Sequence, residues 1–399
     1  MLLQSTAESV EPGLDQPVIP KIHVQSLPVE IWNIIIKEVC DPMTEAEMLA
    51  AVEHFSTRYL RTHGSSHIQE RDALSILRVA LTCRTFAKVA IPLLFHQLLI
   101  YTDTSDSTSL SPTPKISSTL TSPIPPILCS ENDSPLYGNF VRFLSVGHDR
   151  RMPPIPDFKK ILLSCPNVTH LMCFTSSDSF LWWPAISQMT SLVALRMTGL
   201  KAPCLDEDSP IVTFPHLESL YLTIVHNNAW GVERWILPKL RSLVLHAGFE
   251  VDHRRLERFC QRYGHTVEFL HFDPKCDRLI FASLERLFPR LKHLRISYTS
   301  SLYSIDPATV HRGVTVITIP TLSRGDFRPH EPIRPILENL HTLLFPALKQ
   351  IRCYWTSPLE GSSKVGPWFV EILADWERNG IKFIRINNDE LITLDSLTL

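Results

Sequence analysis

Glycine is scarce in this chain: 13 residues in 399, and they are dispersed. A loop that cradles phosphate needs clustered glycines, because only a bare backbone lets several N–H groups approach one anion. The nearest spacing is "GSSKVGPW", Gly361 to Gly366, where Pro and Trp stand in place of the Lys and hydroxyl residue such a loop requires. No GxGxxG, GxSxG or HExxH occurs, so nucleotide-loop, serine-hydrolase and zincin chemistry have no sequence support. Apolar runs are only a few residues long, far short of the ~20 that span a bilayer. The start, "MLLQSTAESVEPG", lacks both a positive opening and a sustained apolar core, so no signal peptide is expected. No CxxC pair occurs among the nine cysteines, which fits reduced, buried thiols and an intracellular setting, cytoplasmic or nuclear. The formal charge of −2 provides no global attraction to nucleic acid or membrane, and neither is expected as a partner.

Enough apolar residues are present, 44% with 20% charged, to bury a core of two or three domains. Residues 1–25 are polar and irregular and read as a tail. Residues 26–101 read as a helical domain. Within it, Thr44 and Glu47 form a capping box, followed by Met48, Val52, Phe55 and Tyr59 at helical spacing, which places an inserted helix around 44–62. From Thr102 to Pro135, 21 of 34 residues are Ser, Thr or Pro, too few apolar groups to offset ordering entropy. This stretch reads as a disordered linker or long exposed loop.

Residues 136–399 contain a repeat. The pattern LxxLxL, with apolar equivalents, starts at Val141, Val168, Leu192, Leu217, Leu240, Val267, Leu291, Val314, Leu348 and Ile381. Successive offsets are 27, 24, 25, 23, 27, 24, 23, 34 and 33 residues. Alternating apolar positions make a strand with one face inward. A period of 20–29 residues matches a leucine-rich repeat, whose units stack into a solenoid because none covers its own apolar face. Helix-like stretches such as "DFKKILLSC", "RRLERFCQRYG" and "WFVEILADWERNG" lie between the strands. The Asn usual after the third apolar position is missing, so an irregular horseshoe is expected.

The helical region carries a second signature. "LPVEIWNIIIKEVCD" is followed by "LSILRVALTCRTFAKVAIPLLFHQLLI", with Leu27-Pro28 before Glu30-Ile31, Cys83-Arg84 after Leu77 and Val79, and Pro92 before Leu94-Phe95. This resembles an F-box, and the whole chain resembles F-box proteins with divergent leucine-rich repeats of the fungal type. The resemblance implies a helical hairpin that docks on a Skp-type adaptor of an SCF-type cullin–RING ubiquitin ligase. It implies Leu27, Pro28, Ile31, Ile35, Val79, Cys83, Phe86 and Leu94 as adaptor contacts or supporting core. Apolar residues Ile31 to Val39 spread over an arc of roughly 200°, twice the stripe an ordinary surface helix needs, and a second partner would cover the surplus. Phe86 stands where many family members have Trp, and residues 42–72 form an insertion where the family has a short link.

The fold class expected is therefore an α/β solenoid behind an F-box-like helical domain. Such a chain is a non-enzymatic receptor, with no cofactor and no metal. His253, Cys260, His265, His271 and Cys276 are ligand types without the tight pairing of a zinc site. The residue before the last apolar position of each motif should point away from the core. That column reads Ser145, Met172, Arg196, Tyr221, Val244, His271, Arg295, Thr318, Arg352 and Arg385, with His170, His246, His293 and Tyr354 beside it. Arg196, Tyr221, His271, Arg295, Arg352 and Arg385 are thus the candidate target-binding residues on an exposed inner face. Their partner would be an acidic or phosphorylated peptide, since arginine forks bind carboxylate and phosphate bidentately.

Overall fold

Most of the described strands begin from the same tight turn. The residue three places before the motif accepts a hydrogen bond from the motif's first N–H, as in Val168 to Cys165, Leu192 to Met189, Leu217 to Phe214, Leu240 to Leu237, Val267 to Gly264, Leu291 to Phe288 and Leu348 to Phe345. Pro166, Pro215, Pro238, Pro289 and Pro346 occupy the next position, where a φ near −65° suits the turn. Cys165, Met189, Phe214, Leu237, Phe288 and Phe345 are all buried, so the turn also drives a plug into the core. These plugs explain the recurring lead-ins "FPHL", "LFPRL" and "LFPAL".

In the computed structural model, the residues described are 97–101, 136–147, 158–174, 183–200, 211–224, 232, 234–247, 253–272, 282–296, 310–319, 333–353, 367–385 and 390–392. They hold twelve strands: β1 (Gln97–Tyr101), β2 (Phe143–Gly147), β3 (His170–Phe174), β4 (Ala194–Leu200), β5 (Ser219–Ile224), β6 (Ser242–Ala247), β7 (Phe269–Phe272), β8 (His293–Ile296), β9 (Val316–Ile319), β10 (Gln350–Cys353), β11 (Lys382–Arg385) and β12 (Glu390–Ile392). All join one sheet in strict chain order, parallel from β1 to β11, with β12 antiparallel to β11. Helices α1 (Phe158–Ser164), α2 (Trp183–Ile186), α3 (His253–Tyr263), α4 (Leu284–Leu287), α5 (Ile333–Asn339) and α6 (Pro367–Arg378) fall between strands. No described helix is long and apolar enough to cross a membrane. The repeat expectation therefore holds as an α/β solenoid.

One sheet face and the helices share a continuous core. Leu144, Leu171, Leu195, Leu220, Leu243, Leu270, Leu294, Ile317 and Ile351 form its spine, in contact with Phe158 of α1, Leu256 and Phe259 of α3 and Leu284 of α4. Trp376 and Phe369 of α6 pack on Phe383 at centroid distances of 5.7 and 5.9 Å and close the C-terminal end. Consecutive units are also joined through the backbone. The carbonyl of the second motif residue receives two N–H groups from the next motif: Arg142 from Thr169 and His170, Glu218 from Arg241 and Ser242, Lys292 from Thr315 and Val316.

His311 stands at a plug position and is fully buried. Its Nε2 lies 2.9 Å from the Phe288 carbonyl, and its Nδ1 accepts the Gly313 N–H at 3.1 Å. A neutral imidazole with its proton on Nε2 satisfies both, so a polar side chain substitutes for phenylalanine at little cost.

Two boundaries differ from expectation. Gln97–Tyr101 is not helical but the first strand, parallel to β2 with Leu98 beside Leu144. "FHQLLI" is a further copy of the motif, starting at Phe95, so residues 102–135 fall in sequence between two paired strands, β1 and β2. At the other end, β11 enters from a helix. The α6 helix stops where Gly380 takes a φ of +72° and Ile381 N–H reaches back to the Trp376 carbonyl at 2.9 Å. Without the usual turn, Phe383 rather than Ile384 pairs with Ile351, a slip of one residue. The tail (1–25), the rest of the helical region with its inserted helix (44–62), and the stretch 102–135 lie outside the described residues.

Gly264 marks a close approach between units. A Cβ there would sit 2.1 Å from the Leu287 carbonyl oxygen, a backbone atom that cannot swing away. Gly264→Ala should lower stability by about 1–3 kcal/mol, the range for overpacked interiors, measured as a shift of the urea midpoint. An unchanged midpoint would mean the α3–β7 corner yields freely.

Candidate functional site

The face of the sheet opposite the core is defined by register. Ser145, Met172, Arg196, Tyr221, Val244, His271, Arg295, Thr318 and Arg352 are lateral neighbours on successive strands. A parallel column comprises Phe143, His170, Ala194, Ser219, Ser242, Phe269, His293, Val316 and Gln350. No Asp or Glu occurs in β2 to β11. The structure therefore brings Arg196, Tyr221, His271, Arg295 and Arg352 into one line, as the spacing predicts. Arg385 is the exception. The slip in β11 sets Ile384 next to Arg352 and places Arg385 opposite Cys353, on the other face parity, so Arg385 leaves the column.

The column is not exposed, which corrects the second half of the expectation. Arg196 is 2% accessible, His271 4% and Arg295 8%. Neighbours on strands about 4.8 Å apart supply part of the cover. The Arg196 guanidinium carbon sits 4.0 Å from the Tyr221 ring centroid. His246 meets Tyr221 at 5.2 Å and His271 edge-on at 4.8 Å, and His293 meets Phe269 edge-on at 4.7 Å. Arg196, His246, His271 and Arg295 have further partners in the chain. Cation–π stacking of a desolvated arginine contributes up to about 2 kcal/mol, which makes Arg196 and Tyr221 a packed pair within the sheet.

Accessibility returns towards the C-terminal strands. His293 and Arg352 are half-buried, flanking the buried Thr318. His293 Nε2 lies 2.7 Å from Thr318 Oγ1. Burial first, then the Arg352 and Arg295 charges, pull the His293 imidazole down to about 3. His271 is likewise lowered well below 6.5, by burial and then by Arg295, His246, His293 and Arg196. Both histidines are neutral at pH 7, so the arginines carry the charge. Sequence reasoning counted Thr318 in the column without giving it a role; its bond to His293 is what gives it one.

Of the zinc-ligand types, Cys260 is buried in the helix–sheet core, where burial pushes its thiol up, and His271 stands on the opposite face of the sheet, while Cys276 lies outside the described residues. Cys165 and Cys173 are similarly buried, their thiols pushed up to about 12. The adaptor candidates Leu27, Pro28, Ile31, Ile35, Val79, Cys83, Phe86 and Leu94, and also Tyr354, lie outside the described residues.

No family model matches the chain, and no curated protein does. Among solved structures it is similar to the crystal structure of the yeast Rad7–Elc1 complex, at 11% identity over 90% of this chain and 94% of that one, with a TM-score of 0.29.

A histidine held neutral below its ordinary value makes stability acid-sensitive. The unfolded chain takes up the proton near pH 6.5 and the folded one does not until about pH 3 for His293, so stability is complete above 6.5 and lost as pH falls below it. Urea midpoints measured from pH 7.5 to 5.5 should fall, and His293→Gln should fall less steeply. Parallel curves would show that His293 titrates as an ordinary histidine.

Proposed function

We propose that this chain is a non-enzymatic substrate receptor of an SCF-type cullin–RING ubiquitin ligase, working in the cytoplasm or nucleus. The F-box-like segment, residues 26–96, binds a Skp-type adaptor and through it the cullin. The repeat domain holds the protein target on its inner face. What carries the reading is one observation: a ladder of eleven parallel strands whose second face includes Arg196, His271, Arg295 and Arg352, with no Asp or Glu in β2 to β11, following an F-box-like sequence. Ubiquitin transfer is then accelerated by effective concentration, with no chemistry supplied by this chain.

The second reading is a repeat-based interaction scaffold with no ligase attached. The observation that favours it is the insertion 42–72 between the two halves of the F-box-like motif. Co-expression of the full chain with a Skp-type adaptor separates the two. Co-elution on size exclusion, lost in Leu27→Arg with helicity retained, is the expected result. Folded protein that never co-elutes would leave the scaffold.

A further inference from the structure

The strand starts form a surface apart from both faces of the sheet. Because β1 to β11 run parallel, these starts line up along one rim. The second motif residue of each unit stands there, bonded by its N–H to the carbonyl of its counterpart one strand back. Arg241, Glu268, Lys292, Thr315, Lys349 and Lys382 follow one another in this way at 2.8–2.9 Å. The turns that lead into the strands add a second tier: Lys239 before β6, Arg290 before β8 and Arg312 before β9.

The seven lysines and arginines of the two tiers are all exposed. Only two carboxylates stand among them. Glu268 accepts from Lys292 Nζ at 2.7 Å, and Glu285 of α4 accepts the Arg312 backbone N–H at 3.3 Å. The Lys292 hydrogen bond, and after it the charges of Arg241 and Arg290, hold the Glu268 carboxyl below its ordinary range, so one anion is shared among three cations. Seven cations against two anions leave the rim strongly positive on a chain whose formal charge is −2. The whole molecule has no global pull on a polyanion, but this edge has a local one.

We propose that the strand-entry rim from β6 to β11 is a binding surface for double-stranded nucleic acid, held by its phosphate backbone without regard to base sequence. The proposal lies outside the receptor reading and uses neither the second sheet face nor the F-box-like segment.

Length and chemistry both favour a duplex. Five strand spacings make a stripe about 24 Å long. A B-form strand presents a phosphate about every 3.4 Å of axis, so about seven of them face such a stripe. Nothing else is on offer there. Among the described residues the exposed large apolar side chains are Leu163, Ile211, Ile236 and Val310, none of them in either tier. A protein partner needs buried aromatic or aliphatic anchors as well as charge. A single strand needs aromatic platforms for its bases, and neither tier contains an aromatic residue. A duplex keeps its bases stacked inside and asks only for cations at phosphate spacing.

The test is fluorescence anisotropy of the full chain with a labelled duplex of about 20 base pairs, as DNA and as RNA, over a salt series. Neutralising four or five phosphates gives a slope of log K against log salt of about −4. Arg241→Gln, Arg290→Gln and Lys349→Gln, all at exposed positions, should each weaken binding several-fold and flatten the slope by about one. Lys159→Gln on α1, away from these strands, should change neither quantity. Urea midpoints of the variants verify that folding is kept. Binding of one duplex type alone assigns the source as DNA or RNA, and binding of both assigns the shared backbone. Absence of binding at low salt, rim variants with unaltered slopes, an equal loss in Lys159→Gln, or equally tight binding of a single strand or of poly-glutamate would each overturn the proposal.

Discussion

Every unit of this protein borrows its main-chain partners from the unit before it. The second carbonyl of one motif anchors two N–H groups of the next, and that single contact sets strand spacing, register and the direction each side chain faces. Removing it at any point would leave an apolar strand with neither a partner for its backbone nor a cover for its core face. The turn that precedes most of the described strands acts in the same cause, because it drops a plug residue into the interface between neighbours. Stability in such an array is a sum over nearest neighbours, and the strict chain order of the strands means that no distant segment is needed to complete any interior interface.

The second sheet face is a crowded one. Side chains that in an isolated strand would reach into water instead lie on each other, and charges placed there lose much of their solvation. Arg196 compensates by covering the Tyr221 ring. His271 and His293 give up their protons. Arg295 and Arg352 flank a small threonine, and no strand from β2 to β11 carries a carboxylate.

Much of this architecture was legible in the amino-acid order because its two signals are local. Alternation marks the strand, and a plug followed by proline marks the turn, so the positions from Val141 to Leu348 could be aligned by eye. Burial of the arginine column was not legible, since spacing reports direction and says nothing about how tightly lateral neighbours pack. The slip at β11 was hidden for a different reason: "IKFIRI" satisfies the motif with Ile381, Ile384 and Ile386, whereas the structure sets Phe383 beside Ile351, after a turn at Gly380 and against Trp376. The strand at Gln97 escaped because its motif overlaps the end of a helical signature and stands 46 residues ahead of Val141. Thr318 drew no notice as a site residue because an unbranched reading of charge overlooks hydroxyls.

A sheet that grows by adding one parallel strand after another has no intrinsic reason to stop, and its last strand is a template for more. Here the final strand, Glu390–Ile392, turns back and runs antiparallel. The parallel ladder of the first eleven is not continued at that edge, and the strand that forms it is only three residues long and carries Glu390. A short, charged edge offers an incoming strand of another molecule little to pair with.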